Sequence, residues 1–183
     1  MDRARFAVLA GVLALATTPA LAKGDNSAIE NVGVDVAIAL PVVAGGISVA
    51  KDDWNGVVEL ALDTTTTAGT AFLLKYVVHE RRPNGTDDQS FPSDTSALAF
   101  APAEYLWDRY GWQYGLPAYA AAGFVGYSRV ASKEHHWWDV AASAGLAFGY
   151  SKLITTRYHP PSDFETELYA TPRSAFVTLN YRF

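Results

Sequence analysis

Three short stretches of the chain carry side chains whose types and spacing suit chemistry. In "KYVVHERRP", Lys75, His79 and Arg82 are spaced by four and three residues ahead of Pro83. On a helix they would share one face, pointing two cations and an imidazole the same way. In "SFPSDTSALAF", Pro92 and Ser93 close a polar loop, and Asp94 or Thr95 can cap the next helix, whose free amides attract an anion. In "SRVASKEHHWWD", His135 and Asp139 lie four apart at the start of a predicted helix. That spacing lets the carboxylate orient one ring nitrogen and leaves the other free as nucleophile or base. Arg129, six residues before His135, ends another predicted helix and can reach the same pocket. Taken singly, each stretch has an ordinary reading: a solvated face, a plain cap, a surface contact. His135, His136 and Asp139 are also metal-ligand types. Three cations converging on them would repel a metal and favour an oxyanion, so no metal is expected.

The elements that must position these groups read as helices. Apolar residues come in runs of helical length separated by polar turns, and β-branched alternation is missing until the end of the chain. Helices are predicted at 34–50, 54–81, 95–109, 115–130 and 136–157, punctuated by "NGT" (84–86), "YGW" (110–112) and Pro160–Pro161. The fold class expected is therefore all-α, a bundle of five to six helices. After it, "FETELYA" and "RSAFVTLNYRF" flank Thr171–Pro172 and predict a short C-terminal β-hairpin, with Ala175, Val177, Leu179, Tyr181 and Phe183 on one face.

Composition narrows the function classes. The 183 residues fit one domain; half are apolar and 18% charged, which excludes a disordered chain. A net charge of −5 and the lack of a basic block argue against nucleic acid. With no cysteine there is no disulfide framework, thiolate metal site or thiol nucleophile. At the N-terminus, Arg3 and Arg5 precede the apolar run "FAVLAGVLALA", and Ala20–Ala22 supply small residues before a cut at Lys23. This pattern predicts a secretory signal peptide over 1–22. Its removal takes two arginines and one aspartate from 14 basic and 19 acidic residues, leaving −6. The expected organisation is a signal peptide at 1–22, a helical domain at 23–160 and a C-terminal extension at 161–183. The product is an exported, periplasmic protein. Its five tryptophans include candidate membrane-interface anchors.

Together the three stretches resemble the signature of the type 2 phosphatidic acid phosphatase and haloperoxidase superfamily: Lys, six residues, Arg-Pro; then Pro-Ser-Gly-His; then Ser-Arg, five residues, His, three residues, Asp. Lys75, Arg82 and Pro83 meet the first motif, and Ser128, Arg129, His135 and Asp139 the third, both at the family spacing and in the family order. The resemblance spans about residues 34–157. It implies that His135 attacks phosphorus to form a phosphohistidine, that Asp139 holds its tautomer, and that Lys75, Arg82, Ser93 and Arg129 bind the phosphoryl oxygens. No cofactor is implied for a phosphatase; vanadate would act as an inhibitor, or as the cofactor of a haloperoxidase. The implied substrate is a phosphorylated lipid or another small phosphate or diphosphate, met at a membrane surface.

The second motif departs from the pattern, with Asp94-Thr95 standing where the family has Gly-His. In the family that His protonates the leaving oxygen, which a threonine hydroxyl cannot do in kind. Asp94, His79 and His136 are the candidate surrogate acids. Three readings follow: a metal-independent acid or lipid phosphatase, a catalytically impaired phosphate-binding homologue, and a vanadate-dependent haloperoxidase. The first is preferred. Without the usual acid, a leaving phosphate is easier to expel than an alkoxide, so diphosphates are the expected better substrates.

Overall fold

A computed structural model describes residues 26–160 and the backbone of 164–171 and 174–181. The predicted signal peptide lies outside the described residues. Five helices follow in order: α1 (Asn26–Ala50), α2 (Trp54–Leu74), α3 (Asp94–Tyr110), α4 (Trp112–Ala131) and α5 (Trp137–Ile154). The helical domain is thus all-α, as the apolar runs predicted.

Local chemistry sets most of the boundaries. Asp53 starts α2 by accepting a 2.9 Å hydrogen bond from the Gly56 amide. Ser93, rather than Asp94 or Thr95, caps α3: its Oγ accepts from the Ser96 amide at 3.3 Å. Gly111, at φ +90°, ends α3 and opens α4 in a single residue, a conformation that favours glycine. The predicted helix over 54–81 stops at Leu74. Beyond it the amides of Lys75, Tyr76 and Val77 bond three residues back, to Phe72, Leu73 and Leu74. The β-branched pair Val77–Val78 then leads into an extended segment where Glu80 bridges Gln89. Lys75, His79 and Arg82 therefore do not share a helix face.

Successive helices run antiparallel, because contacts tie alternate termini together. Glu30 near the start of α1 pairs with Arg129 at the end of α4, and the Ser93 amide before α3 donates to the Asp139 carbonyl in α5. At the opposite end Asp53, Arg109, Tyr110, Ser48 and Thr156 form one polar cluster. Arg109 donates to both Asp53 oxygens at 2.7 and 2.5 Å, to Glu59 at 2.9 Å and to the Thr156 carbonyl at 2.8 Å. Burial alone would raise the Asp53 pKa; Arg109, Tyr110 and the Gly56 amide outweigh it and hold the carboxyl at about 2.

Helix α3 is the centre of the bundle and packs on all four others. Its buried face is mostly small, with Ala97, Ala99, Ala101 and Ala103, so neighbouring backbones come close. Ala37, Leu40, Ala44 and Ile47 of α1 recur every three or four residues and join Leu60, Leu106, Ala122 and Val125 in the main apolar core. The outside of the bundle is unusually apolar: Val42, Leu62, Phe72, Leu73, Val77 and Leu153 are all at least half exposed. Among the described residues one helix, Ser27–Ala50, is long and apolar enough to cross a membrane, with mean hydropathy 2.0. The helical class rests on α1–α5. Two C-terminal backbone segments, β1 (Phe164–Thr171) and β2 (Ser174–Tyr181), lie antiparallel to one another.

Candidate active site

The antiparallel order puts the α2–α3 loop and the α4–α5 loop at the same end of the bundle, together with the start of α1. The four motif residues Lys75, Arg82, Arg129 and His135 come from these segments. Lys75 sits at the C-terminus of α2, almost fully buried, where its Nζ donates to the Gln89 carbonyl at 2.9 Å and lies 3.5 Å from Asp94 Oδ1. Burial pushes its pKa below the ordinary lysine value, and Asp94 opposes this only in part. Arg82 lies on the loop and donates to Asp87 at 2.8 Å and to Glu134 at 2.5 Å. Burial would lower its pKa, but those carboxylates raise it, so the guanidinium stays charged.

Arg129 ends α4. It pairs with Glu30 at 3.3 Å, and its Nη2 lies 3.8 Å from the same Glu134 oxygen that Arg82 holds. Its buried Nε has no acceptor among the described residues. The preceding Ser128 explains how α4 reaches this position: a Cβ on Gly33 of α1 would stand 1.9 Å from Ser128 Oγ, so only glycine lets the two helices close there. Ser93, fully buried, is committed as the α3 cap, and its carbonyl accepts from Ser143 at 2.7 Å.

His135 is 1% exposed and lies just before α5, in the loop. Its Nδ1 is 2.7 Å from the Ser90 carbonyl oxygen and 3.5 Å from Asp139 Oδ2. A carbonyl can only accept, so Nδ1 carries a proton, and the tautomer this selects has its lone pair at Nε2. Nε2 takes no protein partner among the described residues. Asp139, at the first turn of α5, accepts from Ser90 Oγ at 2.5 Å and from the His136 amide at 2.8 Å. Burial alone would raise its pKa; hydrogen bonds from His135, Ser90 and His136 outweigh that and bring it to about 2, so it is a carboxylate at neutral pH.

Of the candidate acids, Asp94 and His136 are at the site and His79 is exposed, past the end of α2. His136 stacks on Trp138 at 4.3 Å, with Nδ1 3.6 Å from Glu80 and 3.5 Å from Asp139. Glu80, His136 and Asp139 each place one potential metal-ligand atom within 4.8 Å of the others. Those carboxylates already serve other donors: Asp139 as above, and Glu80 the Trp138 indole at 2.7 Å. The motif search missed Ser90, Glu134 and Glu80. Ser90 acts largely through its backbone carbonyl, which no residue type announces. Glu134 stood in plain view beside His135, yet only the fold shows it between two arginines.

Lys75, Arg82, Arg129 and His135 thus come together at one end of the bundle, linked through Gln89, Ser90 and Glu134. The chain belongs to the PAP2 superfamily, whose family model matches residues 56–162 and so takes in every motif position discussed. It is 33% identical over 143 residues to the lipid A 4'-phosphatase of Helicobacter pylori, covering 72% of each chain. It is also 33% identical over 97 residues to the lipid A 1-phosphatase of Porphyromonas gingivalis, covering 51% of this chain and 22% of that one. No solved structure matches it.

Proposed function

We propose that the protein is a phosphatase that removes a phosphate group from a phosphorylated lipid through a phosphohistidine on His135. The observation that carries this reading is the Ser90 carbonyl on His135 Nδ1, which leaves Nε2 as the nucleophile beside Lys75, Arg82 and Arg129. The Nε2 lone pair forms the N–P bond as the bond from phosphorus to the leaving oxygen breaks; a diphosphate's inner phosphate leaves as the anion, and an alkoxide takes a proton from Asp94, His136 or solvent. The three cations neutralise the charge on the equatorial oxygens, and the Arg129 Nε–H is a donor awaiting such an acceptor. Water then cleaves the N–P bond, releasing inorganic phosphate and restoring the imidazole. No metal is called for, since the side chains supply the positive charge. Family membership and the lipid A phosphatase activities of both relatives support this reading, and make lipid A-type phosphates the first substrates to assay.

In the same reading the chain is exported by its signal peptide and acts at a membrane from the periplasmic side. The exposed apolar outer faces, and Trp137 and Trp138 exposed beside His135, support contact with lipid. The C-terminal strands form a hairpin that the chemistry does not need. Thr95 favours one alternative, a phosphate binder without turnover, because its hydroxyl cannot replace an acidic imidazole. The deciding experiment measures phosphate release from lipid phosphates and diphosphates by the full-length protein and by a chain lacking residues 164–183. Release by both supports the proposal. Thermal protection by phosphate with no release from any substrate would establish the binder instead.

A further inference from the structure

We infer that a groove between α1, α2 and α3 holds a hydrocarbon chain of the lipid substrate, entering from the side of the bundle. This rests on the phosphatase reading and names the part of the substrate that gives it selectivity. The cavity, of about 350 Å³, is walled by Ala37 and Ile38 of α1, Ala68 and Phe72 of α2, and Leu98 of α3. Val34 and Ile38 of α1, Ala68 and Phe72 of α2, and Asp94 and Leu98 of α3 are each one turn apart, so the groove runs along the helices rather than across them.

Two features fix the occupant. The polar residues of the groove are Asp94 and Thr95, and Asp94 lies 3.5 Å from Lys75 Nζ. One end of an apolar channel thus opens beside a cation that faces the phosphoryl group. At the rim, Ile38 and Phe72 are 55% and 50% exposed, so the groove also opens sideways onto the apolar outer surface of the bundle. A ligand that fits must carry an anionic head and an apolar tail leaving towards lipid. Inorganic phosphate or a sugar phosphate would gain nothing from these walls, whereas an acyl or prenyl chain buries methylenes against them. Thr95, at the junction, then lies on the leaving-group side of the phosphorus.

Ala68 lines the groove from the last two turns of α2, so Ala68→Phe should narrow it without replacing a charged residue. The expected result is a KM for a long-chain lipid phosphate raised about tenfold or more. Turnover of p-nitrophenyl phosphate and inhibition by vanadate should stay within about twofold of the parent protein. Equal losses on both substrates, or no change on either, would overturn the groove. Should Ala68→Phe fail to fold, binding by the unaltered protein decides. Dodecyl phosphate below its micelle concentration should raise Tm at about tenfold lower concentration than methyl phosphate does, and equal potency would refute the inference. That binding test stands without turnover. A chain-length preference in a protein that releases no phosphate would sink the phosphatase reading while keeping the groove.

Discussion

The Nδ1 atom of His135 is held by the Ser90 backbone, 2.7 Å from its carbonyl oxygen, while the Asp139 carboxylate stands at 3.5 Å. A backbone acceptor cannot be removed by substituting a side chain, so it selects the tautomer that carries its proton on Nδ1. Asp139 acts one step further out, clamping Ser90 Oγ and the His136 amide.

Asp139→Asn should therefore weaken the site without destroying it. Its kcat for phosphate release is expected to fall about 10- to 100-fold, the size of loss that follows removal of an orienting partner. His135→Ala should leave no turnover. Side-by-side kinetics check this, and a loss in Asp139→Asn as complete as in His135→Ala would assign tautomer control to the carboxylate.

Glu134 joins Arg82 at 2.5 Å and approaches Arg129 at 3.8 Å, so it draws on the positive charge that the proposal assigns to substrate. Glu134→Gln should tighten inorganic phosphate binding by roughly 2- to 5-fold at low ionic strength and lower Tm, since the two guanidinium groups lose a shared partner. Titration calorimetry with phosphate measures it; weaker binding would mean that the carboxylate mainly positions the arginines.

Lys75 sets the alkaline limit. Burial lowers its pKa, so its charge is lost as pH rises through a value below the ordinary lysine range, and anion affinity falls with it. Vanadate inhibition followed from pH 7 to 10.5 should weaken before pH 10.5, and Lys75→Arg, which stays charged, should move that limb upward. An unshifted limb in Lys75→Arg would acquit Lys75.

The bundle and the grouping of Arg129 with His135 and Asp139 were legible from sequence because both depend on residue type at short spacing. The apolar run behind the helix predicted at 34–50 announced most of α1, which begins earlier, at Asn26, and Ser128–Arg129 ahead of His135–Asp139 marked the stretch where those side chains gather. What could not be read depends on chain reversal or on backbone atoms. Nothing near Lys75 signals that α2 stops there, since Pro83 is the first residue that forbids a helix, and the Glu80–Gln89 bridge that competes with it joins residues nine apart. Lys75 and Arg82 meet through that loop, not through a shared helix face. The match between the Gly33 notch and Ser128 is likewise visible only once α1 and α4 are packed.

Thr95 bears on the choice of leaving group. A departing alkoxide resembles hydroxide, with a conjugate-acid pKa of about 15.7 for water, whereas a departing phosphate has a second pKa of about 6 and leaves without a proton. The protein should cleave a lipid diphosphate faster than the matching monophosphate. Thr95→His, alone or with Asp94→Gly, should raise monophosphate hydrolysis by the larger factor. Faster hydrolysis of the monophosphate by the parent protein, unchanged in Thr95→His, would show that another group supplies the proton.

The most direct test is to trap the intermediate by mixing full-length protein with a lipid diphosphate labelled at its terminal phosphate, quenching rapidly in alkali and mapping the label. The account predicts an acid-labile phosphoramidate on the peptide bearing His135, absent from His135→Ala, which should still bind vanadate through Lys75, Arg82 and Arg129. Phosphate release without such a species, or at an undiminished rate in His135→Ala, would contradict it.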